Sequence, residues 1–188
     1  MKVYINPGHD RDYDPGAVNP NTGLRECDVA YDIGNRVRNY LEDAGYDVRL
    51  MQSDNLLYDS DHADRPVAVV PDANEWPADL FVSIHCNAFD TTARGTEVEC
   101  YSLDSDGGAL AQCIQDKIVE TIGTIDRGVK ERPGLIVLKH TDMPAVLVET
   151  AFIDNDEDAA LLVERETDFA RAIAKGITDY IQGGVIGV

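Results

Sequence analysis

The chain has 188 residues, enough for one domain with a substantial core, and its composition (44% hydrophobic, 27% charged) is that of an ordinary globular protein. Asp and Glu number 35 against 16 for Lys and Arg, a formal charge of −19, which repels phosphate backbones and argues against nucleic acid as a partner. No internal repeat, low-complexity tract or bilayer-length apolar stretch occurs, so no membrane span is expected.

The order of elements reads as alternating strand and helix. An apolar run that starts at Lys2 and ends on His9 predicts a first strand, with Met1 leading straight into it, so no signal peptide is expected as numbered. The chain would then stay in the cytoplasm, leave by another route, or be a trimmed catalytic part. A loop rich in Asp, Gly, Pro and Asn follows from Asp10 to Leu24. Val29, Ile33, Val37, Tyr40, Leu41 and Ala44 then recur at helical spacing, and Gly45 supplies a stop. Tyr46 to Met51 is a second strand. Between Ser53 and Pro77, Asp64-Arg65-Pro66 predicts a helix start that Pro71 cuts short.

Leu80 to His85 is a continuous apolar run, the pattern of a strand covered on both faces. Thr96 to Tyr101 predicts another strand, and Leu110, Ile114, Ile118 and Ile122 an amphipathic helix ending at Gly123. Two further strands are predicted at Leu135–Leu138 and Ala145–Val148, then a last helix carrying Phe169, Ile173, Ile177 and Ile181. The sum is an α/β domain over residues 1–182: three layers, with a mainly parallel twisted sheet of five or six strands flanked by helices. Residues 183–188 read as a frayed tail or the start of a linker.

Three apolar strands end on polar groups, His9, His85 and Glu149, and parallel neighbours would gather them at one sheet edge. His9 follows the turn Pro7-Gly8; alone it reads equally well as a loop histidine paired with nearby aspartates. Glu26 opens the first long helix, where the helix dipole favours any acid, but the loop from His9 returns it to the same edge. His85 closes a run so apolar that an unpartnered imidazole there would be costly. Two His and one Glu with an open fourth position match hydrolytic zinc sites. Glu149, ending another buried strand, suits a base near a metal, a fourth ligand, or a satisfied structural acid.

Other residues carry weaker signals. His140 reads as a surface histidine and His62 as a solvated partner of Asp59, Asp61 and Asp64; Arg65 and Asn74 are candidates to line a cleft. Cys27, Cys86, Cys100 and Cys113 form no C-x-x-C pair, so neither a cysteine zinc site nor a disulfide framework is expected. No G-x-S-x-G elbow or P-loop competes with the metal reading.

At these residues the chain resembles the zinc-dependent N-acetylmuramoyl-L-alanine amidases of the Amidase_3 family, over almost its whole length. Asn6-Pro7-Gly8-His9 resembles the family's "DPGH", Asp14-Pro15-Gly16-Ala17 its "DPGA", and Ser83-Ile84-His85-Cys86-Asn87-Ala88 its "SIHANA". Arg127-Gly128-Val129-Lys130 with Val137-Leu138 resembles "RGVK…VL", Pro144 to Glu149 "PAVLVE", and Phe152-Ile153-Asp154-Asn155 "GFxSN". The resemblance implies zinc held by His9, Glu26 and His85, with Glu149 as general base and then acid. It implies cleavage of the amide between the muramic acid lactyl group and L-alanine in peptidoglycan. The partners would be the glycan strand and stem peptide, the acting form a monomer, and the setting the cell wall, for an autolysin, a sporulation enzyme or a phage-released endolysin. Another zinc amide hydrolase, such as a carboxypeptidase, and an inactive wall-binding module are the alternatives.

Three departures from the family pattern are visible. Asn6 replaces an Asp, which predicts the loss of a carboxylate orienting His9. Asp10-Arg11 replaces two glycines, which predicts a bulkier, more charged mouth, and Ala151 stands where the family has Gly. The stretch between Glu26 and His85 is too short and proline-broken for the family's autoinhibitory helix, so an open cleft is expected.

Overall fold

The computed structural model describes residues 1–58 and 65–183. The elements run β1 (Lys2–Pro7), α1 (Glu26–Asp43), β2 (Asp47–Leu50), α2 (Val69–Glu75), β3 (Leu80–Asn87), β4 (Thr96–Cys100), α3 (Asp106–Ile122), β5 (Asp126–Glu131), α4 (Ile136–Lys139), β6 (Ala145–Phe152), α5 (Asp156–Glu164) and α6 (Glu166–Gln182). The six strands form one sheet in the order β2-β1-β3-β6-β4-β5. The first four are mutually parallel, β4 runs antiparallel to β6, and β5 runs parallel to β4. The mainly parallel α/β sheet expected from the sequence is present. Among the described residues no helix is long and apolar enough to cross a membrane.

The two faces of the sheet are covered unequally. On one, Val3, Ile5, Val82, Ile84, Val146 and Val148 lie fully buried against Ile33 and Val37 of α1, Leu110 and Ile114 of α3, and Phe169 and Ile173 of α6. Helices α3 and α6 cross so closely that a Cβ added at Gly176 would lie 2.6 Å from the Cα of Ile114. The opposite face carries a smaller cluster: Tyr4, Phe81, Ala145 and Leu147 under Val69, Val70 and Ala73 of α2 and Val137 and Leu138 of α4. Short helices cover only the lower part of this face. Above them, at the C-terminal ends of the parallel strands, the same side turns polar at Asn6, Ser83, His85 and Glu149, which the strand register places on neighbouring rungs.

Local chemistry explains the helix ends. The Ser105 hydroxyl accepts the Gly108 N–H at the start of α3, and Gly123 closes the helix in the left-handed conformation (φ 79°). Asn155 accepts from the N–H groups of Glu157 and Asp158 to start α5.

Two sequence expectations need correction, and one strand lies where none was predicted. Leu135–Leu138 is not a strand: residues 136–139 make a single helical turn, α4, that presses Val137 and Leu138 onto the lower sheet face. A four-residue apolar run has no period by which helix and strand can be told apart. The edge strand is instead β5, whose charged sequence Asp-Arg-Gly-Val-Lys-Glu suits an exposed sheet edge and hides it from hydrophobicity patterns. Helix α2 begins at Val69, after the expected start at residues 64–66, and holds Pro71 in its first turn, where no intrahelical N–H is required.

Candidate metal centre and groove

Three elements converge on one point above β1 and β3. The Gly8 N–H donates to the Ile84 carbonyl (2.8 Å), so the chain stays beside β3 for one residue past β1 before turning. His9 then adopts a left-handed backbone (φ 65°), uncommon for a side-chain-bearing residue, and the loop closes through reciprocal backbone bonds between Asp10 and Asp14. His9 Nε2 lies 3.1 Å from Glu26 Oε2, and His85 Nδ1 lies 3.0 Å from Glu26 Oε1. Donor atoms from His9, Glu26 and His85 all lie within 4.8 Å of one another.

Backbone groups hold Glu26 in place. Its Oε2 accepts the Ala17 N–H (2.8 Å) and its Oε1 the Cys86 N–H (3.0 Å), and the residue is 4% exposed at the first position of α1. Two glycines make room for the rings. A Cβ at Gly8 would sit 2.2 Å from His85 Cε1; one at Gly16 (φ +66°) would sit 2.6 Å from both Glu26 Oε2 and His9 Cδ2. The glycines of the Pro7-Gly8-His9 and Asp14-Pro15-Gly16 motifs are thus needed for close approach. Gln52 adds a brace, its amide donating to the carbonyls of Gly8 and Cys27.

The electrostatics are those of a cation site. Burial pushes the Glu26 carboxyl up, but the two imidazoles outweigh it and hold its pKa well below the usual carboxylate range. Burial pulls His9 down, yet Glu26 and Asp14 overcome it and raise its pKa to about 9. Without a metal, imidazolium charge therefore balances the buried carboxylate. Two imidazole nitrogens and one carboxylate oxygen, backed by structure on one side and facing a groove on the other, are a donor set that fits zinc.

Glu149 sits one strand away, directly opposite His85 in the β3–β6 register. Its Oε2 is shielded from solvent and has no hydrogen-bond partner among the described residues. Burial, reinforced by the charges of Glu26, Glu99 and Glu97, raises its pKa well above the usual value. Glu97, paired with Glu149 across β4, is clamped by Arg127 and Lys130; Glu99 pairs with Arg132 at 3.1 Å. Neither glutamate was singled out from the sequence, although their alternation in Thr-Glu-Val-Glu-Cys marks a charged strand face.

A groove runs past these groups. One hollow of about 310 Å³ is lined by Asn6, His9, Asp54 and Leu56, and another of about 350 Å³ by Glu26, Asn87, Glu99 and Glu149. His9, His85, Leu135 and Leu147 border both. Between residues 50 and 80 the one described helix is the seven-residue α2, packed beneath the lower sheet face, so among the described residues no long helix blocks the groove.

The structure answers two of the departures. Asn6 does not face His9: its Oδ1 accepts from Ser83 Oγ (3.0 Å) and its amide donates to the Met51 carbonyl, tying β1 to β3 and to the end of β2. The carboxylate at His9 Nδ1 is Asp14, at 2.7 Å. Arg11 does not crowd the mouth either. It turns along α1, bonded to Asp28 and Asp32 and stacked over Tyr31 at 4.1 Å.

The weaker candidates lie elsewhere. His140 is exposed at the end of α4, and Asn74 bonds its carbonyl, a structural tie between α2 and α4. Arg65 is buried, paired with the groove residue Asp54 and stacked over Tyr13. His62, Asp59, Asp61 and Asp64 lie outside the described residues, as does the tail beyond Gly183. All four cysteines are free.

Comparison with known proteins gives one family. The profile described as N-acetylmuramoyl-L-alanine amidase, Amidase_3, matches residues 3–179. The chain is 37% identical over 183 residues to the N-acetylmuramoyl-L-alanine amidase LytC of Bacillus subtilis, covering 95% of this chain and 35% of LytC. It is 35% identical over 189 residues to the endolysin of Bacillus phage SPP1, covering 95% of this chain and 65% of that protein. It therefore spans about a third of one of these relatives and about two thirds of the other. Among solved structures, N-acetylmuramoyl-L-alanine amidase AmiC2 of Nostoc punctiforme superposes with a TM-score of 0.82 at 34% identity, covering 97% of each chain. The catalytic domain of CwlV from Bacillus (Paenibacillus) polymyxa gives 0.82 at 29% identity, over 96% of this chain and 98% of that one.

Proposed function

The chain belongs to the N-acetylmuramoyl-L-alanine amidase family, and from that premise we propose that it hydrolyses the amide joining N-acetylmuramic acid to L-alanine in peptidoglycan, with zinc held by His9, Glu26 and His85. The observation that carries the reading is the convergence of that donor set with an unpartnered, high-pKa Glu149 one strand away. Residues 1–182 act as the catalytic domain, as a monomer, at the cell wall.

Zinc bound there supplies a Lewis acid that polarises the scissile carbonyl and acidifies water. Glu149 does the proton work. Opposite His85, with no hydrogen-bond partner at Oε2, it is placed to accept the proton of the attacking water as a carboxylate, and once protonated it donates to the departing amine of L-alanine. One C–O bond forms, one C–N bond breaks, and one proton passes from water to amine. Leu135 and Leu147 give the groove apolar walls beside the reacting groups, which lowers the local dielectric and strengthens every charge interaction.

Purified peptidoglycan incubated with the protein, with and without a zinc chelator, tests the proposal by mass spectrometry of the released fragments. Stem peptides beginning at a free L-alanine amine, lost on chelation and restored by zinc, are the expected result. Release of single terminal amino acids would move the chain to a carboxypeptidase, and bound zinc without products to a wall-binding module.

A further inference from the structure

The loop between β1 and α1 carries one carboxylate whose placement the metal ligands do not explain. Asp14 is half-exposed and belongs to a chain so acidic that another surface aspartate would pass unnoticed. Its two oxygens, however, are committed to different tasks. Oδ1 accepts the Gly16 N–H at 3.0 Å, and Oδ2 lies 2.7 Å from His9 Nδ1. Its backbone is pinned as well, by the reciprocal bonds with Asp10 at 2.8 and 3.1 Å. The left-handed conformation of His9 bends the chain so that one ring edge faces Asp14 while the other faces Glu26.

An ionised carboxylate only accepts hydrogen bonds, so Asp14 takes the Nδ1–H of His9, and the proton that a metal ion displaces is the one on Nε2, the nitrogen beside Glu26. We propose that Asp14 is the positioning residue of the metal centre, holding the His9 ring by its Nδ1–H so that Nε2 presents its lone pair beside Glu26. It thereby takes the part that the sequence pattern suggested for position 6, where Asn6 is spent on Ser83 and Met51. The other histidine needs no such partner. His85 turns Nδ1 toward Glu26, and its ring lies flat against Gly8, where a Cβ would meet three ring atoms within 2.5 Å. Beyond their shared contact with Glu26, His85 is braced by packing on Gly8 and His9 by Asp14, so the two differ in what disturbs them.

The proposal rests on the zinc reading above, and the test separates their failures. Zinc affinity of the full chain is measured by competition with a chromophoric chelator for wild type, Asp14→Ala and Asp14→Asn, alongside thermal unfolding of each metal-free protein. Asp14→Ala is expected to bind zinc about 10–100-fold more weakly, the usual cost of losing such a partner. Asp14→Asn keeps one oxygen, enough for Gly16, but turns an NH2 donor toward His9 Nδ1, so it should restore the metal-free melting temperature without restoring the affinity. Nitrogen-15 spectra of the imidazoles give a second readout: the His9 Nδ1–H signature should be present in wild type and lost or broadened by exchange in Asp14→Ala. Wild-type affinity in either variant, or a wild-type His9 protonated on Nε2 in the zinc-loaded state, overturns the role of Asp14 alone. A wild-type chain that takes up no zinc overturns the metal reading and this proposal with it.

Discussion

The two faces of the sheet are built from the same strands and end in different chemistry. Val3, Ile5, Val82, Ile84, Val146 and Val148 point to one side and are sealed beneath α1, α3 and α6. Their neighbours on the other side begin apolar at Tyr4, Phe81 and Ala145, then change to Asn6, Ser83, His85 and Glu149 within two rungs. The sealed face supplies rigidity; the half-covered face uses it. A carboxylate with a buried, unpartnered oxygen, as in Glu149, is costly, and the apolar opposite face keeps the strand that carries it from shifting to relieve that cost.

Substitutions on the two faces should therefore fail in different ways. The largest effect is expected at Glu149→Gln, with turnover of peptidoglycan falling about 10²–10⁴-fold while zinc uptake and melting temperature stay close to wild type; full turnover would remove Glu149 from the reaction. On the sealed face Ile173→Ala should lose about 2–5 kcal/mol of stability in denaturant titration, with the specific activity of the remaining folded protein intact. A change in specific activity there would mean the faces are coupled more tightly than packing implies.

Two glycines sharpen the contrast. Gly176→Ala drives a Cβ to 2.6 Å from the Ile114 backbone, so the α3–α6 contact must open. Overpacking of this kind costs about 1–3 kcal/mol and should leave zinc affinity alone. Gly16→Ala places its Cβ 2.6 Å from Glu26 Oε2 and should weaken zinc binding with a smaller loss of stability. If the two variants show the same ratio of metal loss to melting-temperature loss, the comparison breaks.

The smallest effect is one of pH on the metal-free protein. The His9 pKa is raised to about 9, so its ion pairing stabilises the fold fully below its ordinary pKa of 6.5 and fades as pH rises through about 9. Glu26 is shifted the opposite way; its contribution is present above its ordinary 4.5 and fades on acidification. His9→Gln should flatten the alkaline limb of the stability profile, and an unchanged limb would show that His9 is not the group responsible.

Much of this was legible in the chain because it depends on local pattern. Strands covered on both faces read as unbroken apolar runs, and β3 and β6 announced themselves with their terminal His85 and Glu149. The family motifs named the donor set. What stayed hidden depends on partners distant in sequence. β5 holds a sheet edge with one apolar residue, its place fixed by pairing with β4. Helix α5 went unread because its start rests on the Asn155 cap and only Asp158, Ala159 and Leu162 are buried along it. Glu97 and Glu99 became part of the site only once β4 was known to run antiparallel beside β6. Asn6 was misjudged because a residue name does not say which of its neighbours it faces.

The rung shared by His85 and Glu149 sets the spacing between the proposed metal ligand and the proposed base. Adjacent strands lie about 4.8 Å apart in any sheet, so this distance is a property of the backbone ladder and not of the loops above it. The groove segments that carry none of the donor set, at residues 54–56 and 134–135, can then lengthen, shorten or be exchanged without detuning the proton transfer. A chain of this design separates what it recognises from how it cuts, and grafting a relative's segments at those two places should change the choice of wall while the proposed hydrolytic step stays the same.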